Sequence, residues 1–84
     1  MNFKELFKIA KKEMEDLFTL ENPDFRLEQA EFNKDEDVWE VVVSYLVENT
    51  NKPLGIPGFN FHRMYKKVKI DNNGQVVGFY IYDT

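Results

Sequence analysis

The chain has no cysteine, a single histidine, three prolines, four glycines and no long apolar run. Each shortage excludes something. Without cysteine there are no disulfides, no thiolate metal ligands and no thiol nucleophile. With His62 alone, no multi-histidine zinc site can form within one chain. The four glycines, Gly55, Gly58, Gly74 and Gly78, match neither nucleotide-phosphate fingerprint. The apolar stretch Val41-Val42-Val43 stops at Ser44, far short of a bilayer span. The start, Met1-Asn2-Phe3-Lys4-Glu5, is charged every few residues and lacks the apolar core of a signal peptide. The expectation is a soluble, cytoplasmic protein with no membrane partner, and the absence of cysteine fits a reducing compartment.

What the chain does have is core material. Its 84 residues are 43% hydrophobic, with eight Phe, four Tyr and one Trp. That suffices for one domain over 1–84 and is too apolar for disorder. A domain this short buries only about 60% of its unfolded surface, so association with a second copy would support it.

Residues 3–18 read as an amphipathic helix. Phe3, Phe7, Ala10, Met14 and Leu17 recur at spacings of four and three, with Leu6 and Phe18 widening the stripe. Asn2 is placed to cap the first turn, Glu5 stands in the capping-box position, and Asn22-Pro23 halts the helix. Lys4 and Lys8 come early while Glu13, Glu15 and Asp16 come late, against the macrodipole, so packing has to hold the helix.

After Pro23 the period becomes two. Strands are expected at about 25–33, 38–48, 61–71 and 75–82. In the first, Phe25 and Leu27 are out of phase with Ala30 and Phe32; one extra residue near Glu28-Gln29, a β-bulge, brings all four to one face. In the second, Trp39, Val41, Val43, Tyr45 and Val47 form an unbroken apolar face, expected to bury against Phe7, Ala10, Met14 and Leu17. Residues 49–58 carry two prolines and two glycines and read as a loop. Asp71-Asn72-Asn73-Gly74 signals a hairpin in which Asn-Gly supplies positive φ angles. The fold class is α+β: an N-terminal helix on one face of a four-stranded antiparallel meander, in the order α-β-β-β-β.

This element order resembles the cystatin-like fold, one helix lying across a four-stranded antiparallel sheet. Protease-inhibiting cystatins carry Gln-x-Val-x-Gly at a hairpin tip. Gln75-Val76-Val77-Gly78 has its glycine one residue early and lies within the last strand, and Trp39 is in a strand rather than a loop. The resemblance therefore implies the fold and not protease inhibition.

No catalytic, cofactor-binding or metal-ligating residue is assigned, and no cofactor is expected. Asp35, Glu36 and Asp37 cluster in a turn where water keeps carboxylates ordinary, whereas acid–base catalysis needs burial or a like-charged neighbour. No EF-hand glycine or distal glutamate accompanies them. His62 reads as a structural strand residue, and nothing around Ser44 forms a nucleophile elbow. The expected role is non-enzymatic.

Charge says more. Residues 13–48 hold twelve acids against Arg26 and Lys34, while 1–12 and 49–84 are each net basic, within a total of −4. Asp35, Glu36 and Asp37 thus form an acidic patch able to steer a basic protein, an immunity- or antitoxin-like role. Arg63, Lys66, Lys67 and Lys69 interleave with Tyr65, but the negative total and the lack of an RRM signature argue against nucleic acid. A small ligand between the helix and loop 49–58, near Leu54, Ile56 and Phe59, is a further alternative.

The leading expectation comes from the second sheet face. One helix about 24 Å long covers one face only, yet regular alternation puts Val42, Leu46, Tyr65, Val76, Tyr80 and Tyr82 on the other. Lys67 and Lys69 lie beside them, placed to meet Glu40 and Glu48 of a second copy. Contiguous apolar residues rimmed by charge mark an interface, so the chain is expected to form a homodimer through this face.

Overall fold

The computed structural model describes residues 1–48 and 61–82. Helix α1 spans Phe3–Met14, followed by a 3-10 turn at Glu15–Leu17. Strands β1 (Arg26–Asn33), β2 (Val38–Glu48), β3 (Phe61–Asp71) and β4 (Val76–Ile81) form one antiparallel sheet in the order β1-β2-β3-β4. The α+β meander expected from the periodicity is the architecture found. Among the described residues, no helix is long and apolar enough to cross a membrane. Loop 49–58, with the ligand mouth expected at Leu54, Ile56 and Phe59, lies outside the described residues.

Asn2 caps α1, its Oδ1 accepting from the Glu5 amide at 2.9 Å. The α-helix is shorter than the apolar stripe suggests, and charge gives the reason. Ending at Met14 leaves Lys11 and Lys12 in the last turn, where they suit the dipole, and moves Glu15 and Asp16 beyond it. The buried line is Leu6, Ala10 and Met14, with Ile9 and Phe18 packed beside it. Leu17, expected in the core, is 43% exposed, and Phe3 is also exposed. The 3-10 turn rotates Leu17 off the stripe, and Phe18 takes its place against Tyr45 and Phe25 with ring centroids at 5.1 and 5.5 Å.

The core joins these helix residues to Val41, Val43, Tyr45, Val68 and Ile70. The bulge in β1 falls between Leu27 and Gln29, so Leu27 faces Val43, Ala30 faces Val41 and Phe32 faces Trp39, all on the helix side. Pairing of β2 with β3 is regular over all eleven residue pairs, from Val38↔Asp71 to Glu48↔Phe61.

A second bulge was not legible. Between Lys69/Ile70 and β4 the register shifts, so Gly78 pairs with Lys69 and Val76 with Ile70. Val77 is the extra residue and is exposed, while Val76 packs against the core. Regular alternation placed Val76 on the outer face with Tyr80 and Tyr82; the bulge moves it to the helix side. The hairpin before it also differs in detail. Gly74 alone takes a left-handed φ, +80°, and the Asp71 carboxylate accepts from the amides of Asn73 and Gln75, each at 2.9 Å. That is a three-residue connection with glycine in the left-handed position, not a two-residue Asn-Gly turn.

Candidate interaction surface

On the outer face, strand register sets polar and aromatic side chains into two groups. The first is a clasp. Arg63 pairs with Leu46 across β2–β3 and is largely covered. It donates to Ser44 Oγ at 2.8 Å, to the Asp24 carbonyl at 3.0 Å and to the Asp24 carboxylate. Ser44, fully buried, in turn donates to Glu28 Oε1 at 2.8 Å. Arg26 also bonds Asp24, and the Leu46 amide donates to the Pro23 carbonyl at 2.6 Å. The segment leading into β1 is thereby fastened across the sheet. Asp24 adopts a left-handed φ of 48°, a conformation short polar residues tolerate better than most. Its carboxyl is held below the usual range by the Arg26 hydrogen bond first, then by the charge of Arg26 and by Arg63.

The second group is a chain of charges at the other end. Lys67 bonds Glu40 at 3.1 Å, Asn33 bridges Glu40 and Glu36 at 2.9 and 3.0 Å, and Lys69 bonds both Glu36 oxygens at 2.9 Å. Glu40 is lowered chiefly by the Asn33 hydrogen bond, then by Lys67; Lys69 is raised chiefly by its bond to Glu36. Lys67 and Lys69 therefore pair within one chain, where a second copy's Glu40 and Glu48 were expected. The same bonds divide the acidic patch: all three acids of the turn are exposed, and Glu36 is ion-paired with Lys69. Asn33 Oδ1 shapes that turn by accepting from the amides of Asp35 and Glu36.

Between these groups the apolar surface is smaller than alternation implies. Val42 is only 4% exposed, flanked by Gln29 and Lys67 on the neighbouring strands. Leu46, Tyr65 and Tyr82 are half-buried. The Tyr82 amide donates to the Tyr65 carbonyl at 3.3 Å, extending the β3–β4 ladder past Ile81. Tyr80, at 48%, is the exposed tyrosine. Its ring lies back over Gly78, where an added Cβ would fall 2.8 Å from it, and the Lys69 amine stands 5.5 Å from its centroid. Lys67, Lys69, Tyr80, Ile81 and Tyr82 line a shallow concavity of about 290 Å³.

The apolar exposure that alternation missed is concentrated along β4 on both faces. Val77, Phe79, Tyr80 and Ile81 are all exposed, Ile81 at 74%. Phe79 and Ile81 lie on the helix side, opposite Val68 and Lys66, but remain exposed. The Lys66 amine covers the Phe79 ring from 5.7 Å. The signal was present: from Gln75 to Tyr82 there is no charged residue.

Elsewhere, Ile9, Lys12, Glu13, Asp16, Gly74, Gln75 and Val76 line an open cleft of about 560 Å³ between α1 and the start of β4. His62 is exposed on β3 opposite Val47. Among the described residues no group of three or more His, Asp or Glu is arranged to hold a metal ion. Comparison with family models, curated proteins and solved structures finds no match.

Proposed function

We propose that the protein is a non-enzymatic interaction module that works as a homodimer, with the β3–β4 side of its sheet as the contact. The observation that carries this reading is the edge strand β4, where Val77, Phe79, Tyr80 and Ile81 are exposed and no residue from 75 to 82 is charged. Exposed apolar strand edges are otherwise blunted in soluble proteins, because they recruit further strands. We read the helix-on-sheet arrangement as cystatin-like in outline, with no inhibitory role attached to it. The half-buried Leu46, Tyr65 and Tyr82 lie on the outer face of the same sheet and extend the contact.

Sedimentation at tens of micromolar tests the reading. A species of two chains is expected, dissociating on dilution. Tyr80→Glu combined with Leu46→Glu should give a folded monomer that melts lower, since mass action no longer supports the native state. A wild-type monomer at that concentration overturns the proposal.

A further inference from the structure

We infer that the two copies join by antiparallel pairing of β4 with β4, about a two-fold axis at Phe79, to make one eight-stranded sheet. This deepens the homodimer reading and rests on it. Among the described residues, the two edge strands of the sheet, β1 and β4, are unlike. Strand β1 carries Arg26, Glu28 and Glu31, all exposed, and is broken by its bulge at Glu28, devices that keep an edge unpaired. Strand β4 has its bulge at Val77 and then runs regularly, without charge, to Tyr82. One edge is closed and one open, so association stops at two chains instead of growing into a filament.

Backbone parity selects the residues that would bond. In an antiparallel ladder, hydrogen-bonded and non-bonded pairs alternate. Because the Tyr82 amide donates to Tyr65, the Tyr82–Tyr65 and Tyr80–Lys67 pairs are the bonded ones. Phe79 and Ile81 therefore turn their N–H and C=O groups toward the open edge. An axis at Phe79 lets the two Phe79 residues exchange both bonds, and sets Ile81 opposite Val77 of the second copy.

Side chains favour the same register. With Phe79 on the axis, Gly78 faces Tyr80 of the other chain, so each ring that now folds over its own glycine gains an empty neighbour position. An axis at Tyr80 is excluded by parity, because the N–H and C=O groups of that residue are turned toward Lys67 of β3. An axis at Gly78 would set two glycines together and leave a gap. On the helix side, Phe79 and Ile81 of both copies would merge into one apolar strip, with both α1 helices on that face.

The absence of cysteine makes the test direct. Antiparallel partners in a bonded pair have Cα atoms about 5.5 Å apart, within disulfide reach. Phe79→Cys should form a covalent dimer under mild oxidation. Ile81→Cys alone should not, because the axis sets it opposite Val77 and not opposite its own copy. Ile81→Lys alters a side chain that is 74% exposed, so it should stay folded by circular dichroism and sediment as a monomer. A wild-type dimer whose Phe79→Cys variant fails to link, or a folded Ile81→Lys variant that remains dimeric, overturns edge pairing and leaves the homodimer reading standing. A wild-type monomer overturns both.

Discussion

Val43 shows how much rests on single positions. It is fully buried between Leu27 and Lys66 on the neighbouring strands and belongs to the core beneath α1. Val43→Asp should cost several kcal/mol, roughly, through desolvation of the carboxylate, a large part of the stability of a domain this size. Thermal unfolding followed by circular dichroism checks it; an unchanged midpoint would refute the strand phase. Asp37 is a subtler case. It holds a left-handed φ of 57°, which a β-branched residue resists by about 1–2 kcal/mol. Asp37→Val should lower stability by about that much, while Asp37→Gly should not. Denaturant midpoints separate the two. Ionisation adds a third test. Asp24 and Glu40 titrate below their ordinary values in the folded chain, so their stabilisation is present above the unfolded carboxylate range and lost as pH falls through the folded values. Lys69, raised by Glu36, and Tyr45, raised by burial, contribute in the opposite sense: their stabilisation is complete below the unfolded values and lost as pH rises through the folded ones. Melting temperature should therefore fall at both extremes. Asp24→Asn should flatten the acid limb and leave the alkaline one unchanged. Both partners of that clasp meet solvent to some degree, so the change is modest and shrinks with salt.

Elements were legible where burial imposes one period over many residues. The run Trp39 to Val47 alternates because one face packs on the helix, and β2 was found where alternation put it. The β1 bulge was legible too, because Leu27 and Ala30 could share the helix side only if one residue was inserted. In β4 the sequence reads as perfect alternation, Val77, Phe79, Ile81, and the bulge hid behind it; only the tight turn at Gly74 and the need to bury Val76 against Ile70 decide the phase. The helix end was misjudged for a similar reason. A heptad does not register that Glu15 and Asp16 oppose the dipole, nor that a 3-10 turn swings Leu17 outward and Phe18 inward. The candidate surface was half legible: Tyr80 stands exposed as expected, whereas intrachain partners for Lys67 and Lys69 depend on where Glu36 is held by its turn. Paired truncations measure the helix assignment. Met14→Ala should cost about 2–5 kcal/mol, against little for Leu17→Ala, as read from chemical unfolding.

At the scale of the molecule, the described residues make an elongated body, 49 by 23 by 17 Å. Strands β2 and β3, eleven residues each, run about 37 Å, while α1 at twelve residues reaches only about 18 Å. Phe79 and Ile81 sit level with the buried Val41 and Val43 but on the edge strand, which is why they stay wet in a single copy. Those two strands must also find each other across the twelve residues that separate Glu48 from Phe61, and connections of that length do not dictate pairing. The search has to be decided by side chains. A one-residue slip turns every side chain to the wrong face. A two-residue slip one way sets Glu40 against Asp71; the other way it carries the fully buried Ile70 past Val38, off the end of β2. Charge thus rejects one misalignment by repulsion, and the lost burial of Ile70 rejects the other. High salt weakens the first penalty and leaves the second intact. Refolding by stopped flow in molar salt should then show an added slow phase from misaligned chains, and Asp71→Asn should produce that phase at low salt.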